Sequence, residues 1–157
     1  MTEENDKKGA AVKVPPPLIA LIVLLVTYSI HYLWPIGIGS MPVFKYIGIA
    51  IVVLGIGIII YASIVFKKAE TNIEPWKPTT KIISAGLYGY TRNPIYVAFC
   101  LIQIGMGIFL NSLWVLSGFI ITAILIYHIA IKKEELYLEA KFKEEYVLYK
   151  NKVRRWL

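Results

Sequence analysis

The sequence predicts an all-α integral membrane protein with four transmembrane helices and a C-terminal amphipathic helix. Three observations carry that prediction. Apolar residues make up 57% of the 157 residues, well above the share usual in a soluble domain. The formal charges sit outside long uncharged runs. Each run is long enough for one or two helices that cross a hydrocarbon layer roughly 30 Å thick. The net charge of +7 raises the question of a nucleic-acid partner. Its placement outside the apolar runs points to a membrane instead.

Residues 1–16 read as a disordered cytoplasmic arm, with Glu3, Glu4, Asp6, Lys7, Lys8 and Lys13 and then Pro15 and Pro16. Residues 17–157 read as one membrane domain. Its first span covers about 17–34, without a formal charge. The prolines before this run, and the lack of a small-x-small site after it, argue against a cleaved leader. Pro35 to Pro42, with Gly37 and Gly39, forms a turn. A second span follows over about 43–66, where Gly48, Gly55 and Gly57 would let another helix approach closely.

Residues 67–93 form the one long polar connection, carrying Lys67, Lys68, Glu70, Glu74, Lys77, Lys81 and Arg92. Connections of that length usually carry function or lack order. The next 38 residues have no formal charge. As one helix they would reach about 57 Å, too long for one crossing. Asn111-Ser112 is therefore the expected turn between spans at about 94–110 and 113–131. Cys100 lies inside this run as the only cysteine, so no intramolecular disulfide forms and it reads as a packing residue.

The tail, 132–157, is charged but periodic. Ile131, Glu135, Leu138, Phe142, Tyr146, Tyr149, Val153 and Trp156 recur at steps of three and four, one face of a long amphipathic helix. Glu139 and Lys143 are a supporting pair on another face. Glu135 interrupts the apolar stripe, so its carboxylate must reach water or meet a partner. All but Lys45 of the 17 lysines and arginines lie in the arm, the 67–93 connection and the tail. Four spans put those segments on one side, and the positive-inside rule makes that side cytoplasmic. The termini and the candidate site are then cytoplasmic.

At the start of the third span, Asn93 before Pro94 reads as a helix cap followed by a first-turn proline. Arg92 beside that positive helix end suits an anion. If the third and fourth spans form a hairpin, Arg92-Asn93 and Glu134-Glu135 meet at its open end. Such a set can hold a zwitterionic amino-acid cofactor, with Arg92 or helix amides taking its carboxylate and a glutamate its ammonium or ribose hydroxyls. Arg92 and Glu135 are the candidate catalytic pair. The plainer reading is an ion pair of Arg92 with Glu134 that pins helices. The sequence has no metal-ligand cluster, nucleophile triad or phosphate loop.

The run Leu87-Tyr88-Gly89-Tyr90-Thr91-Arg92-Asn93-Pro94-Ile95-Tyr96, then Glu134-Glu135, then Phe142 to Lys150 and Val153-Arg154-Arg155-Trp156 resembles the isoprenylcysteine carboxyl methyltransferase family. The related phospholipid N-methyltransferases share much of this pattern. The resemblance covers roughly residues 71–156. It implies a membrane methyltransferase that uses S-adenosylmethionine and acts on a lipid-like acceptor at the bilayer surface, with no nucleic acid and no metal. By this resemblance the cofactor would contact Thr80, Lys81, Ile82, Ile83, Tyr88, Asn93, Pro94, Ile95, Tyr96 and Glu134.

Two departures bear on the acceptor. The eukaryotic enzymes have Arg-His-Pro where this chain has Arg92-Asn93-Pro94. They also carry an arginine where this chain has Ala130, with His128 nearby. A carboxylate acceptor is already nucleophilic, whereas an ammonium must first lose a proton. His128 is the nearby group that titrates near neutrality and is the candidate substrate-side residue. Carboxylate methylation of the isoprenylcysteine type, phospholipid amine methylation and a non-enzymatic membrane assembly role all stand as readings.

Overall fold

The computed structural model describes Asp6, residues 9–39 and residues 41–157. It is all-helical among those residues, apart from one isolated parallel bridge between Thr91 and Arg154. The helices are α1 (Pro16–Leu33), α2 (Pro42–Lys68), α3 (Pro94–Phe109), α4 (Leu113–Ile126), α5 (Lys132–Phe142) and α6 (Glu144–Lys152). A five-residue π-helical turn, Tyr127–Ile131, joins α4 to α5. The stretch Leu113–Phe142 therefore continues as one helical rod. α1, α2 and that rod are long and apolar enough to cross a membrane, and α3 is a shorter apolar helix.

Local sequence explains these boundaries. α1, α2 and α3 each open on a proline (Pro16, Pro42 and Pro94), whose missing amide would have had no partner in the first turn. α1 stops just short of Pro35, which disfavours helix in the residue before it. α2 extends past the uncharged run at both ends. It includes Lys45 near its start, and it ends on Lys67 and Lys68, beyond the expected end at 66. Hydropathy reads the hydrocarbon crossing, while backbone hydrogen bonding carries a helix on to where its last carbonyls favour cations. Asn111, at φ +50°, turns the chain between α3 and α4.

The described residues form two compact units. One combines Pro16–Ile59 with Ile95–Ile126. Here α1 packs on α4, with Thr27 folding its hydroxyl back onto the Val23 carbonyl at 2.8 Å, a common fate of threonine in an apolar helix. α2 and α3 come into backbone contact. A Cβ built on Gly105 would lie 2.7 Å from the Gly48 carbonyl oxygen, and one on Gly55 would lie 3.0 Å from the Ala98 carbonyl oxygen. Such small-residue crossings hold membrane helices together through close packing. Gly105→Leu should therefore force α2 and α3 apart and cost about 1–3 kcal/mol, measured as a lower unfolding midpoint in detergent. Cys100 packs in the same unit, with its thiol directed at the Phe119 carbonyl.

The other unit combines Met1–Pro15, Ile60–Pro94 and Tyr127–Leu157. Two expectations change here. Residues 1–5 and 7–8 of the arm lie outside the described residues, but the rest is ordered. Ala10 and Val12 are buried, and the Ala10 amide donates to the Pro75 carbonyl at 2.8 Å. The tail is also not one helix. Lys143 adopts φ +48° and separates α5 from α6, so Glu139 pairs with Lys150 rather than Lys143. An unbroken 3.6-residue pattern cannot reveal a break made by one backbone angle. The apolar stripe nevertheless faces inward at Ile131, Tyr146 and Val153, and Tyr137 joins it.

Candidate active site

Glu135, in the first turn of α5, is the acid at the centre of this second unit. Its two oxygens accept a bidentate pair of hydrogen bonds from Arg155, Nε to Oε1 at 2.8 Å and Nη2 to Oε2 at 3.0 Å. Arg92 reaches the same Oε1 through Nη2 at 3.2 Å. The partner of Arg92 is therefore Glu135, not Glu134. The side chains of Arg92 and Glu135 are 8% and 14% exposed. One carboxylate thus serves two guanidiniums, and Arg155 occupies both of its oxygens. The Nε and Nη1 of Arg92 are buried and have no hydrogen-bond partner in the structure, an arrangement that is costly unless a ligand completes it.

The chain downstream of α6 holds this cluster in place. The Arg92 amide donates to the Arg154 carbonyl at 2.9 Å, and Thr91 bridges to Arg154. The Asn93 side-chain amide donates to the Arg155 carbonyl at 2.9 Å, while its backbone N–H donates to the Thr91 hydroxyl at 3.2 Å. The Arg155 guanidinium lies 5.1 Å from the centroid of the Tyr127 ring, which stacks a cation on an aromatic face. The Glu135 hydrogen bonds push the Arg155 guanidinium above its ordinary range.

A tyrosine wall stands beside this cluster. The Tyr149 hydroxyl donates to the Tyr88 carbonyl at 2.8 Å, and the Tyr88 ring meets Phe66 edge-on at 5.6 Å. Burial pushes the Tyr146 phenol up to about 12, with the Glu135 charge adding to it. Burial likewise raises the Tyr88 phenol, with smaller contributions from Tyr149 and Glu134. These phenols stay protonated at neutral pH, so they serve as hydrogen-bond donors rather than bases.

Thr80 and Lys81 are exposed and Ile82 and Ile83 half-buried, in the irregular segment that precedes the 3₁₀ turn Gly86–Gly89. Thr80 is fixed there by its amide to the Thr71 hydroxyl at 2.9 Å and by its own hydroxyl to the Glu70 carbonyl at 3.1 Å. Glu134 is half-buried beside Glu135. His128 is exposed in the π-helical turn, edge-on to Tyr127 at 5.0 Å. Pro94 is buried, while Ile95 and Tyr96 belong to the first unit, where Tyr96 leans on Phe99. No group of three or more potential metal ligands occurs among the described residues.

Arg155 is the residue that sequence reasoning left without a role. Its only sign was its place in the Val153 to Trp156 motif, because nothing local to residue 155 indicates a partner twenty residues upstream. The model of a family described as phospholipid methyltransferase matches residues 43–145, more than half of the chain. An uncharacterized protein of Haemophilus influenzae is 41% identical over 63 residues, which is 40% of this chain and all of that relative.

Proposed function

Since the chain belongs to the phospholipid methyltransferase family, and is a multi-pass membrane methyltransferase, we propose that it transfers a methyl group from S-adenosylmethionine to a lipid-like acceptor. The observation that carries the cofactor assignment is the unsatisfied pair of Arg92 nitrogens, Nε and Nη1. They are two buried donors that flank the Nη2 held by Glu135, and each can donate to an oxygen of an anionic ligand, a charge-assisted hydrogen bond. The residues present thus fit an amino-acid cofactor. Arg92 receives its carboxylate, and Glu134 accepts from its ammonium or ribose hydroxyls. Tyr88, Asn93 and Pro94, with the 80–83 segment, complete the wall.

When bound, S-adenosylmethionine supplies an electrophilic methyl on a sulfonium, and displacement in line with the leaving sulfur depends on alignment more than on acid or base groups. The part played by the protein is accordingly positional. Arg92 and Glu135 fix one end of the site, and the neutral tyrosines offer donors and aromatic faces without competing as nucleophiles. A carboxylate of the isoprenylcysteine type is the first acceptor class, because it needs no proton removed. A phospholipid amine is the second, favoured by the description of the matching family, and would call on His128 as proton acceptor.

The composition of the second unit supports a membrane placement. It gathers the arm, the 60–94 stretch and the 127–157 stretch, which hold nearly all of the basic residues. That grouping supports four crossings, α3 included, with these segments and the site on the cytoplasmic side. It also supports a tail whose inward stripe packs while its charged face meets water.

The test uses detergent-purified protein returned to lipid. Calorimetry with S-adenosylmethionine should show micromolar binding, and labelled methyl should pass to an added amphiphile. Base-labile label identifies a carboxyl ester, and base-stable label identifies an N-methyl amine. Folded protein that binds no S-adenosylmethionine in lipid would overturn the proposal.

A further inference from the structure

We propose that the N-terminal arm is a strap, with Asp6 as the positioning residue that fixes the 71–83 segment against α5. The proposal rests on the reading that Thr80 to Ile83 contact the cofactor, and deepens it. The Asp6 carboxylate accepts from Lys141 Nζ at 2.6 and 2.7 Å and from the Tyr137 hydroxyl at 2.7 Å. The same Tyr137 oxygen accepts from the Thr79 amide at 3.1 Å. A relay of three groups therefore runs from the arm, through α5, to the residue immediately before Thr80.

The arm is also seated directly on the segment. The Ala10 amide donates to the Pro75 carbonyl at 2.8 Å. Gly9 adopts φ +54°, and a Cβ on it would lie 2.3 Å from the Lys77 carbonyl oxygen. Only glycine allows so close a backbone approach at that angle. The ion pair holds the Asp6 carboxyl below the usual carboxylate range, chiefly through its hydrogen bond from Lys141. An arm that served only as a solvated tail would require neither the glycine nor the three-group relay.

The strap is tested on the full-length protein with Asp6→Asn, Gly9→Ala and the exchange Asp6→Lys with Lys141→Asp. Two quantities are read, the rate of tryptic cleavage after Lys81 and the dissociation constant for S-adenosylmethionine. Asp6→Asn and Gly9→Ala should speed that cleavage several-fold and weaken cofactor binding roughly tenfold. KM for the cofactor should rise with kcat little changed, and the unfolding midpoint should stay near wild type. The exchange should recover much of both effects, which a purely local loss of packing would not allow. Unchanged cleavage in both single variants overturns the strap. Faster cleavage with unchanged affinity, in a wild type that binds, overturns the role of Asp6 in cofactor positioning. A wild type that binds no cofactor refutes the cofactor reading, and the cleavage rates still decide for or against the strap.

Discussion

Arg92→Ala should bind S-adenosylmethionine at least thirty-fold more weakly than wild type while remaining folded. The expected loss is about 2–5 kcal/mol, the usual effect of removing one member of a buried, hydrogen-bonded charge pair from a binding site. The protein tolerates the change because Glu135 is not left alone. Arg155 already occupies both of its oxygens, at 2.8 and 3.0 Å. The backbone of residue 92 also keeps its hydrogen bond to the Arg154 carbonyl. Isothermal calorimetry beside a thermal melt separates the two effects. Arg92→Lys should restore little, since one ammonium cannot hold Glu135 and also place donors where Nε and Nη1 stand. Affinity equal to wild type in a folded Arg92→Ala protein would remove Arg92 from the cofactor site.

Glu135→Gln should do the reverse and strike stability first. It leaves two guanidiniums facing each other around a neutral amide. Breaking a fully buried pair costs about 3–5 kcal/mol. Because the Arg155 side chain is 35% exposed, solvent screening brings the expected loss to about 2–4 kcal/mol. In a protein of this size that is a fall in unfolding midpoint on the order of 10 °C. Glu134→Gln, at the residue proposed to meet the cofactor, should weaken cofactor binding. A matching fall in midpoint for both variants would show that the two glutamates share one structural task.

The apolar helices were legible because hydrocarbon thickness fixes a run length, and the turn at Asn111 followed from a run too long for one crossing. That Glu135 needed a partner was also legible, because a carboxylate in an apolar stripe is costly without one. The identity of its partners was not. Arg155 and Arg92 reach it through tertiary folding, and only order and spacing shared with a known family hinted that residues 153–156 belonged with 87–96. The break at Lys143 and the π-helical turn at Tyr127–Ile131 had no sequence signature at all. Neither involves a proline or a glycine, so both are set by packing. The contacts of the described part of the arm were not legible for a related reason. Its polarity signalled solvent, whereas Asp6 meets Tyr137 and Lys141 and Gly9 lies against the Lys77 backbone.

The bridge between Thr91 and Arg154 also sets a timetable for synthesis. Thr91, Arg92 and Asn93 donate hydrogen bonds to carbonyls about sixty positions further along the chain, and closing so long a loop is slow compared with forming a helix. While the polypeptide is still emerging from the ribosome, the helices can already be inserted and paired, yet Arg92 has no main-chain partner and Glu135 lacks its bidentate one. Chains truncated before residue 154 should therefore lack the methyl-donor affinity proposed above, which should appear only once the whole tail is free to fold back.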